Sequence, residues 1–178
     1  MRQLGSTDLK RLHRAWRRGT EGRVALILAG LSQPYNVGAI LRTAAAYRVD
    51  TLWLVGDTPG PEHAKVAKTA LGSQRYLQLR RSSEATSALD EARSDGFACV
   101  GLELADGAVA LHEARLAGDV ALVVGHEDRG LTQTVLDACD AVVFLPQLGR
   151  IGSLNVATAT SIALYEVRRR NWTDDARG

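Results

Sequence analysis

The chain has 178 residues, of which 46% are hydrophobic and 24% charged, and its formal net charge is +2. This balance is typical of a globular domain and argues against a disordered, fibrous or membrane-spanning chain. A single domain of this length can bury enough surface to form a core without metal or disulfide bridges.

The cysteines and the amino terminus indicate the compartment. Cys99 and Cys139 lie in separate apolar segments with no second metal ligand at a suitable spacing, which predicts buried free thiols and no metal site. The amino terminus lacks the apolar stretch of a secretory signal, and no apolar run approaches transmembrane length. We therefore expect a cytoplasmic protein with no membrane contact.

The basic residues comprise 19 arginines and three lysines. Arginine binds phosphate groups bidentately, so this excess fits a nucleic-acid partner, but a GC-rich genome produces the same bias. The positions of the arginines must separate the two explanations.

Residues 1–21 are predicted to form a basic helical extension of a domain that spans residues 22–178. Leu9, Leu12 and Trp16 fall on one stripe of an amphipathic helix, which Ser6 or Thr7 would cap. The cations on the opposite side are Lys10, Arg11, Arg14, Arg17 and Arg18. This helix either presents cations to a phosphate backbone or is a solvated surface helix.

From Val24 onward, predicted strands alternate with predicted helices. The strands are 24–29, 49–55, 76–79, 97–104, 120–124 and 141–145. The helices are 36–47, 61–71, 83–93, 132–138 and 153–170. Alternation of this kind predicts an α/β fold with a mostly parallel sheet and helices on both faces.

Three common α/β chemistries lack their motifs. A dinucleotide site would need Gly-x-Gly-x-x-Gly after the first strand, and that motif is absent. Residues 125–130 have the glycine spacing of a phosphate loop but lack the following lysine and hydroxyl residue, which argues against phosphoryl transfer. No Gly-x-Ser-x-Gly elbow supports acyl transfer.

Polar residues cluster instead at three predicted strand-to-helix junctions, residues 36–42, 125–130 and 146–155. Ligands of open α/β sheets bind beyond the carboxyl ends of the strands, where these junctions lie. In the first cluster, Asn36 is predicted to cap a helix, and Arg42 lies beside small residues. The alternative for Arg42 is a solvated helix face.

The other two clusters also have a functional and a structural interpretation. Glu127 lies between two glycines after an apolar strand, where it is either a site carboxylate or an exposed residue of a capping turn. Ser153 and Asn155 lie at the start of the last helix, near free backbone N–H donors. A helix cap alone explains Ser153 better than it explains Asn155.

Taken in this order, the clusters resemble the three motifs of the SpoU/TrmH family of the SPOUT superfamily, whose members are S-adenosylmethionine-dependent RNA ribose 2′-O-methyltransferases. The motif segments are 36–44, 123–131 and 145–166, and the resemblance covers about residues 22 to 170. The chain departs from the usual motifs at several positions. These are His126, Asp128, Gln147, Ala157 and the end of the first motif helix around Tyr47 and Arg48.

The resemblance implies a C-terminal trefoil knot, which is a rare exception to unknotted chain connections, and a homodimer. It also implies that S-adenosylmethionine binds around Gly125, Leu145 and Leu154. The residues that match the family's methyl-transfer site are Arg42, Asn36, Glu127, Ser153 and Asn155. Arg42 would act either as a base that needs unusual help or as a donor that stabilises the developing alkoxide.

The substrate is expected to be RNA, with Arg11, Arg14, Arg17 and Arg18 contacting its backbone. A short basic extension without a separate RNA-binding domain resembles the tRNA-acting members of the family more than the ribosomal ones. We therefore expect tRNA, with rRNA as the alternative. Two other hypotheses are a non-catalytic RNA-binding relative and a small-molecule α/β enzyme, and no motif supports the latter.

Overall fold

A computed structural model describes residues 1–116 and 118–173. Its strands are β1 (Val24–Ala29), β2 (Thr51–Val55), β3 (Gln78–Ser82), β4 (Ala98–Leu102), β5 (Val109–Ala110), β6 (Val120–Gly125) and β7 (Ala141–Phe144). Its α-helices are α1 (Ser6–Arg18), α2 (Pro34–Ala46), α3 (Ala64–Ala70), α4 (Ala85–Ser94), α5 (Gln133–Ala138) and α6 (Val156–Arg170). A short 3₁₀ helix spans Ser73–Tyr76.

The described strands form one sheet in the order β3-β2-β1-β6-β4-β7-β5, and every neighbouring pair is parallel. The central strands are continuous apolar runs. All of β6 and the first five residues of β1 are buried, as expected for strands that are covered on both faces. The predicted parallel α/β sheet is confirmed.

Alternation along the central strands divides the core into two layers. Leu26 and Leu28 of β1 pack with α2, α3 and α6, whereas Ala25 and Ile27 pack on the opposite face with α4 and α5. Successive side chains of a strand point to opposite faces, so each strand contributes to both layers. Helices therefore cover both faces of the sheet, as the sequence predicts.

Gly38 allows α2 and α3 to pack in direct contact. A Cβ atom at this position would lie 2.6 Å from the Thr69 side chain and 2.8 Å from the carbonyl oxygen of Val66. Any larger residue would push the two helices apart. The glycine therefore fixes the position of α2, which carries Asn36 and Arg42.

The carboxyl end of α2 is held by Arg168, an α6 residue that is 4% exposed. Its guanidinium donates to the carbonyl oxygens of Gly22 at 2.9 Å, Tyr47 at 2.8 Å and Arg48. It also lies 3.5 Å from the Asp50 carboxylate. The carbonyls at the end of α2, which lack partners within the helix, are satisfied in this way.

Two predicted helix caps are wrong. The N-cap of α2 is Gln33, with Pro34 at the first helical position, so that Asn36 lies inside the first turn. Proline suits that position because its missing N–H would have no partner there. The N-cap of α1 is Gly5, and neither Ser6 nor Thr7 caps this helix.

Two short elements lie where the sequence indicated none. Strand β5 falls in a segment predicted as a loop, and it pairs with β7 through Val109 and Ala110. The 3₁₀ helix at Ser73–Tyr76 begins before the predicted strand 76–79, so that β3 starts two residues later than expected. Neither element is long enough to show a hydrophobic period.

Helix α1 lies outside the sheet and contains no buried residue. Its carboxyl end is fixed to the last described residues of the chain. The Glu21 N–H donates to the Asn171 carbonyl and the Thr173 N–H to the Gly19 carbonyl, each at 2.9 Å. Trp16 packs on Trp172, with ring centroids 4.8 Å apart.

Within the described ranges, no helix is long and apolar enough to cross a membrane.

Candidate functional site

The carboxylate of Glu127, which follows β6, binds the amino end of α2. It accepts hydrogen bonds from the backbone N–H groups of Ser32 at 3.0 Å and Gln33 at 2.9 Å, and from the Ser32 hydroxyl at 3.1 Å. The side-chain amide of Asn36 donates a further bond at 3.1 Å. Because an anion at a helix amino terminus also interacts favourably with the helix dipole, Glu127 stabilises α2 from outside the helix.

These contacts change the acidity of Glu127. Partial burial alone would raise the pKa of this carboxyl group. The hydrogen bonds from Ser32, Asn36 and Gln33 outweigh burial and lower the pKa from 4.5 to about 2. Glu127 is therefore ionised at any physiological pH, which makes it an acceptor and not a proton donor.

Asn36 and Asn155 extend this network to α6. The amide nitrogen of Asn155 donates to the side-chain oxygen of Asn36 at 3.0 Å. The side-chain oxygen of Asn155 accepts from the N–H groups of Ala157 at 2.9 Å and Thr158 at 3.2 Å, which caps α6. Because ionised Glu127 can only accept hydrogen bonds, the Asn36 amide must point its nitrogen at Glu127 and its oxygen at Asn155. The orientation of Asn36 in turn fixes that of the Asn155 amide.

One continuous network thus joins the three sequence clusters. Asn155, not Ser153, is the N-cap of α6. The Asn155 amide caps α6 with its oxygen and binds Asn36 with its nitrogen, which explains why an asparagine lies at the start of this helix.

A cavity of about 290 Å³ opens beside the network, beyond the carboxyl ends of β4, β6 and β7. Gly125, Leu145 and Leu154 all line it, and so do Glu127 and Ser153. The volume is at the lower end of the range for small-molecule sites. Neither Asn36 nor Asn155 is among the lining residues, so both act on the cavity through Glu127 and through the start of α6.

The wall formed by residues 125–130 depends on two glycines. A Cβ atom on Gly125 would lie 2.3 Å from the backbone of Gly130, with which His126 forms a pair of backbone hydrogen bonds at 2.8 and 3.2 Å. Inside this turn, the Asp128 N–H donates to Nδ1 of His126 at 3.1 Å. The departure from the family motif at His126 therefore stabilises the turn, whereas Asp128 contributes only its backbone N–H.

Glu103 is a cavity residue that the sequence analysis missed. Its carboxylate accepts hydrogen bonds from the N–H groups of Leu131 at 2.9 Å and Leu104 at 3.1 Å. A Cβ atom on Gly130 would lie 2.2 Å from this carboxylate. Its position directly after β4 is the signal that could have identified it, because ligands bind at that edge of a parallel sheet.

Arg42 does not reach the cavity. It lies on the exposed side of α2, on a stripe with Tyr35, Ala39 and Ala46. The predicted RNA contacts Arg11, Arg14, Arg17 and Arg18 are all exposed on α1, at the other end of the molecule. In the described part of the chain, no group of three or more His, Cys, Asp or Glu residues could hold a metal ion.

Replacing Glu127 with glutamine tests the network. Since its pKa is lowered to about 2 from 4.5, the carboxylate stabilises the fold above pH 4.5, and this contribution is lost as the pH falls towards 2. We expect Glu127→Gln to lower the free energy of unfolding by about 1–3 kcal/mol at pH 7. Urea titrations should also show a smaller loss of stability between pH 4.5 and 2.

The control is Asp128→Asn, because the neighbouring exposed carboxylate makes no bond to α2. It should leave both quantities near the wild-type values. If Glu127→Gln loses as much stability as the wild type between pH 4.5 and 2, the carboxylate contributes nothing to the stability of the amino end of α2.

Comparison with known proteins identifies the family. The SpoU rRNA Methylase family matches residues 23–165. A Staphylococcus haemolyticus protein assigned to the TrmH family of tRNA/rRNA methyltransferases is 33% identical over 145 residues, which are 82% of this chain and 58% of that protein. The chain thus spans about three fifths of the length of this relative.

Two solved structures have the same fold. The AdoMet-bound rRNA methyltransferase from Sinorhizobium meliloti is 30% identical, with a TM-score of 0.79 over 87% of this chain and 59% of that chain. A structure concerned with 2-OH methylation of C/U34 on tRNA is also 30% identical, with a TM-score of 0.74 over 84% of this chain and 96% of that chain. The family match and these relatives, together with the three joined clusters, show that the chain belongs to the SpoU rRNA methylase family, also called SpoU/TrmH.

Proposed function

We propose that the protein transfers a methyl group from S-adenosylmethionine to a ribose 2′-hydroxyl of RNA. The favoured substrate is tRNA, and rRNA is the alternative. The observation that carries this proposal is the network of Glu127, Asn36 and Asn155 beside the cavity. It joins the three family motifs at the sheet edge where α/β folds bind ligands.

The residues of the cavity suit S-adenosylmethionine. Leu145, Leu154 and Leu102 provide apolar surface for an adenine ring, and the backbone around Gly125 is open to close approach. The carboxylates of Glu103 and Glu127 complement the positive charges of the cofactor. When bound, the cofactor supplies an electrophilic methyl group and a good leaving group.

The chain itself must then position the hydroxyl and help it lose its proton. Arg42 is assigned to this step because it matches the arginine of the first family motif. It does not line the cavity of its own chain but shares an exposed stripe with Tyr35, on the face that we propose a second copy covers, so it would act beside the cavity of that copy. It stabilises the developing alkoxide by charge-assisted hydrogen bonds, or it accepts the proton with help from a substrate phosphate. Asn36, Ser153 and Asn155 are assigned to positioning, and Glu127 to keeping α2 in place.

A homodimer is supported by an exposed face that α2 and α6 form together. The two helices pack side by side, with the hydroxyls of Thr43 and Ser161 3.2 Å apart. Large apolar side chains remain on their outer sides, where Tyr35 is 54%, Ile162 44% and Tyr165 46% exposed. We propose that a second copy covers this face, because soluble proteins rarely expose such a patch without a partner.

The preference for tRNA rests on two observations. The neighbour concerned with tRNA methylation is 30% identical to this chain and is matched over 96% of its own length. Within residues 1–116 and 118–173, helix α1 adds a basic surface outside the sheet. The C-terminal knot stays a prediction from the family resemblance.

Replacing Arg42 with alanine tests the reaction. We expect Arg42→Ala to reduce methyl transfer at least about 100-fold, which is the usual loss for one charge-stabilising donor. Its thermal stability and its affinity for S-adenosylmethionine should match the wild type. The measurement is transfer of labelled methyl groups to total tRNA and to rRNA, followed by mapping of the modified ribose.

Arg115→Ala serves as the control, because Arg115 is exposed and lies outside the three motifs. It should methylate RNA at the wild-type rate. Near-normal turnover by Arg42→Ala would reject the assignment, and modification of a base instead of a ribose would reject the proposed reaction.

The oligomeric state tests the α2–α6 face. Sedimentation of the wild type should give twice the chain mass of 19.1 kDa. We expect Ile162→Asp to sediment as a monomer, because it places a charge on an apolar interface. Leu71→Asp changes an equally apolar exposed residue at the end of α3 and should leave the dimer intact. A monomeric wild type would refute this interface.

The basic face of α1 is tested by the salt dependence of RNA binding. Replacing Arg14, Arg17 and Arg18 together with glutamine should weaken tRNA binding, and the slope of log K against log salt should fall by about 2–3. Filter binding at several salt concentrations provides the measurement. If the slope does not change, α1 does not contact the RNA backbone.

A further inference from the structure

A second cavity, of about 580 Å³, lies between α1, the carboxyl end of α2 and the carboxyl end of α6. It is distinct from the first cavity because no residue lines both. The distance along α2 from Asn36 to Tyr47 is about 16 Å, at 1.5 Å per residue. The second cavity therefore opens at the opposite end of the helix from the Glu127 network.

The walls of this cavity combine aromatic rings with cations. The aromatic lining residues are Trp16, Tyr47, Tyr76 and Trp172, and the cations nearest to solvent are Arg17 and Arg48. The Trp16 and Trp172 rings are in contact with each other, and both are only partly buried. Tryptophan and tyrosine rings next to exposed arginines are the features with which proteins bind unstacked nucleic-acid bases.

Arg48 occupies its position at an energetic cost. Its backbone is in the left-handed region, with φ +52°, where a side chain is disfavoured and glycine is not. Left-handed residues other than glycine persist where the surrounding structure enforces them, and they are concentrated at functional sites. Here the buried guanidinium of Arg168 binds the Arg48 carbonyl, so the backbone is held while the Arg48 side chain remains free to face the cavity.

We propose that this aromatic cavity binds an unpaired base of the RNA substrate, while Arg48 and Arg17 contact the adjoining phosphates. The inference rests on the proposed function, because it takes RNA as the substrate. It adds a second site, remote from methyl transfer, that selects RNA with an unstacked base.

The chemistry of the cavity favours RNA over the other occupants of such a groove. An apolar peptide segment or a second copy of this chain would find two arginines at the rim that form no salt bridge within residues 1–116 and 118–173. A nucleotide, in contrast, presents both a flat apolar base and a negative phosphate. The cavity also adjoins the basic face of α1, so one strand can contact both surfaces.

Tryptophan fluorescence tests the base contact directly. Trp16 and Trp172 line the cavity, whereas Trp53 is fully buried elsewhere in the sheet. We expect single-stranded hexaadenylate to quench the emission, and an abasic ribose-phosphate oligomer of the same length to bind at least about tenfold more weakly and quench little, because stacking on the rings is lost. Equal binding of the two oligomers would overturn the proposal.

Arg48→Gly distinguishes a binding role from a structural one, because the two readouts move in opposite directions. Relief of the left-handed backbone should outweigh the greater freedom of glycine in the unfolded chain and so raise the urea midpoint. Loss of the cation should weaken hexaadenylate binding and lower its salt slope by about 0.7, the value for one phosphate contact on a single strand. Unchanged binding in this variant would refute the role of Arg48.

Two matched variants complete the test. Leu71 is the other described non-glycine residue with a left-handed backbone, at φ +51°, and it does not line the cavity. Leu71→Gly should raise the urea midpoint and leave RNA binding unchanged. Arg115→Ala removes one exposed arginine elsewhere and should also bind hexaadenylate normally. A loss of binding in either variant would mean that the effect of Arg48→Gly is not specific to the cavity.

The experiment separates this inference from the proposed function. A wild-type protein that methylates RNA but shows no base-dependent quenching disproves the second site alone. A protein that binds hexaadenylate in the cavity but does not methylate RNA disproves the reaction and leaves the site. If Arg48→Gly changes the sedimenting mass, the cavity is a contact between two copies, and the proposal fails.

Discussion

The ionised carboxylate of Glu127 at the amino end of α2 is the interaction on which the candidate site depends. It satisfies the N–H groups of Ser32 and Gln33, which precede the helix, and it fixes the orientation of Asn36. Asn36 in turn binds Asn155, which caps α6. Three loops that are remote in sequence are thereby held together by one acceptor-only group. Its low pKa, about 2, reflects how completely these donors compensate its charge.

The two ends of α2 are held by groups of opposite charge. A carboxylate faces the positive end of the helix dipole at Gln33, and the buried guanidinium of Arg168 faces the carbonyls at the negative end. Gly38 allows the middle of the helix to pack directly on α3. A helix held at both ends and in its middle is a rigid support, which suits the proposed role of Arg42 in a reaction that depends on alignment.

The sequence predicted the features that depend on local pattern. The central strands, the helices on both faces and the three polar junctions follow from apolar runs and from the order of the elements. The cap of α2 could not be predicted, because its acceptor comes from Glu127, 94 residues after Gln33. Asn36 therefore looked like a local cap, although its side chain serves a tertiary network. For Asn155, the sequence showed only that a poor helix former lies at the start of a helix, and it did not indicate the bond to Asn36.

The second cavity could not be predicted from the sequence for a related reason. Trp16 and Trp172 come from opposite ends of the chain, and no spacing rule connects them. Arg48 appeared only as part of a departure from the first motif at the end of α2, and the structure adds that its backbone is left-handed.

The first cavity lies wholly within the segment that the family matches, whereas the second cavity lies partly outside it. Residues 23–165 contain the whole Glu127 network and all lining residues of the first cavity. The second cavity takes Trp16, Arg17, Arg168 and Trp172 from outside that segment, where α1 is fixed to residues 171–173. The segment shared with the family holds the proposed chemistry, whereas the second cavity also depends on residues on either side of that segment. Under the proposed function, changes in these flanking residues would alter RNA binding and leave the lining of the proposed cofactor site intact, because the two cavities share no lining residue.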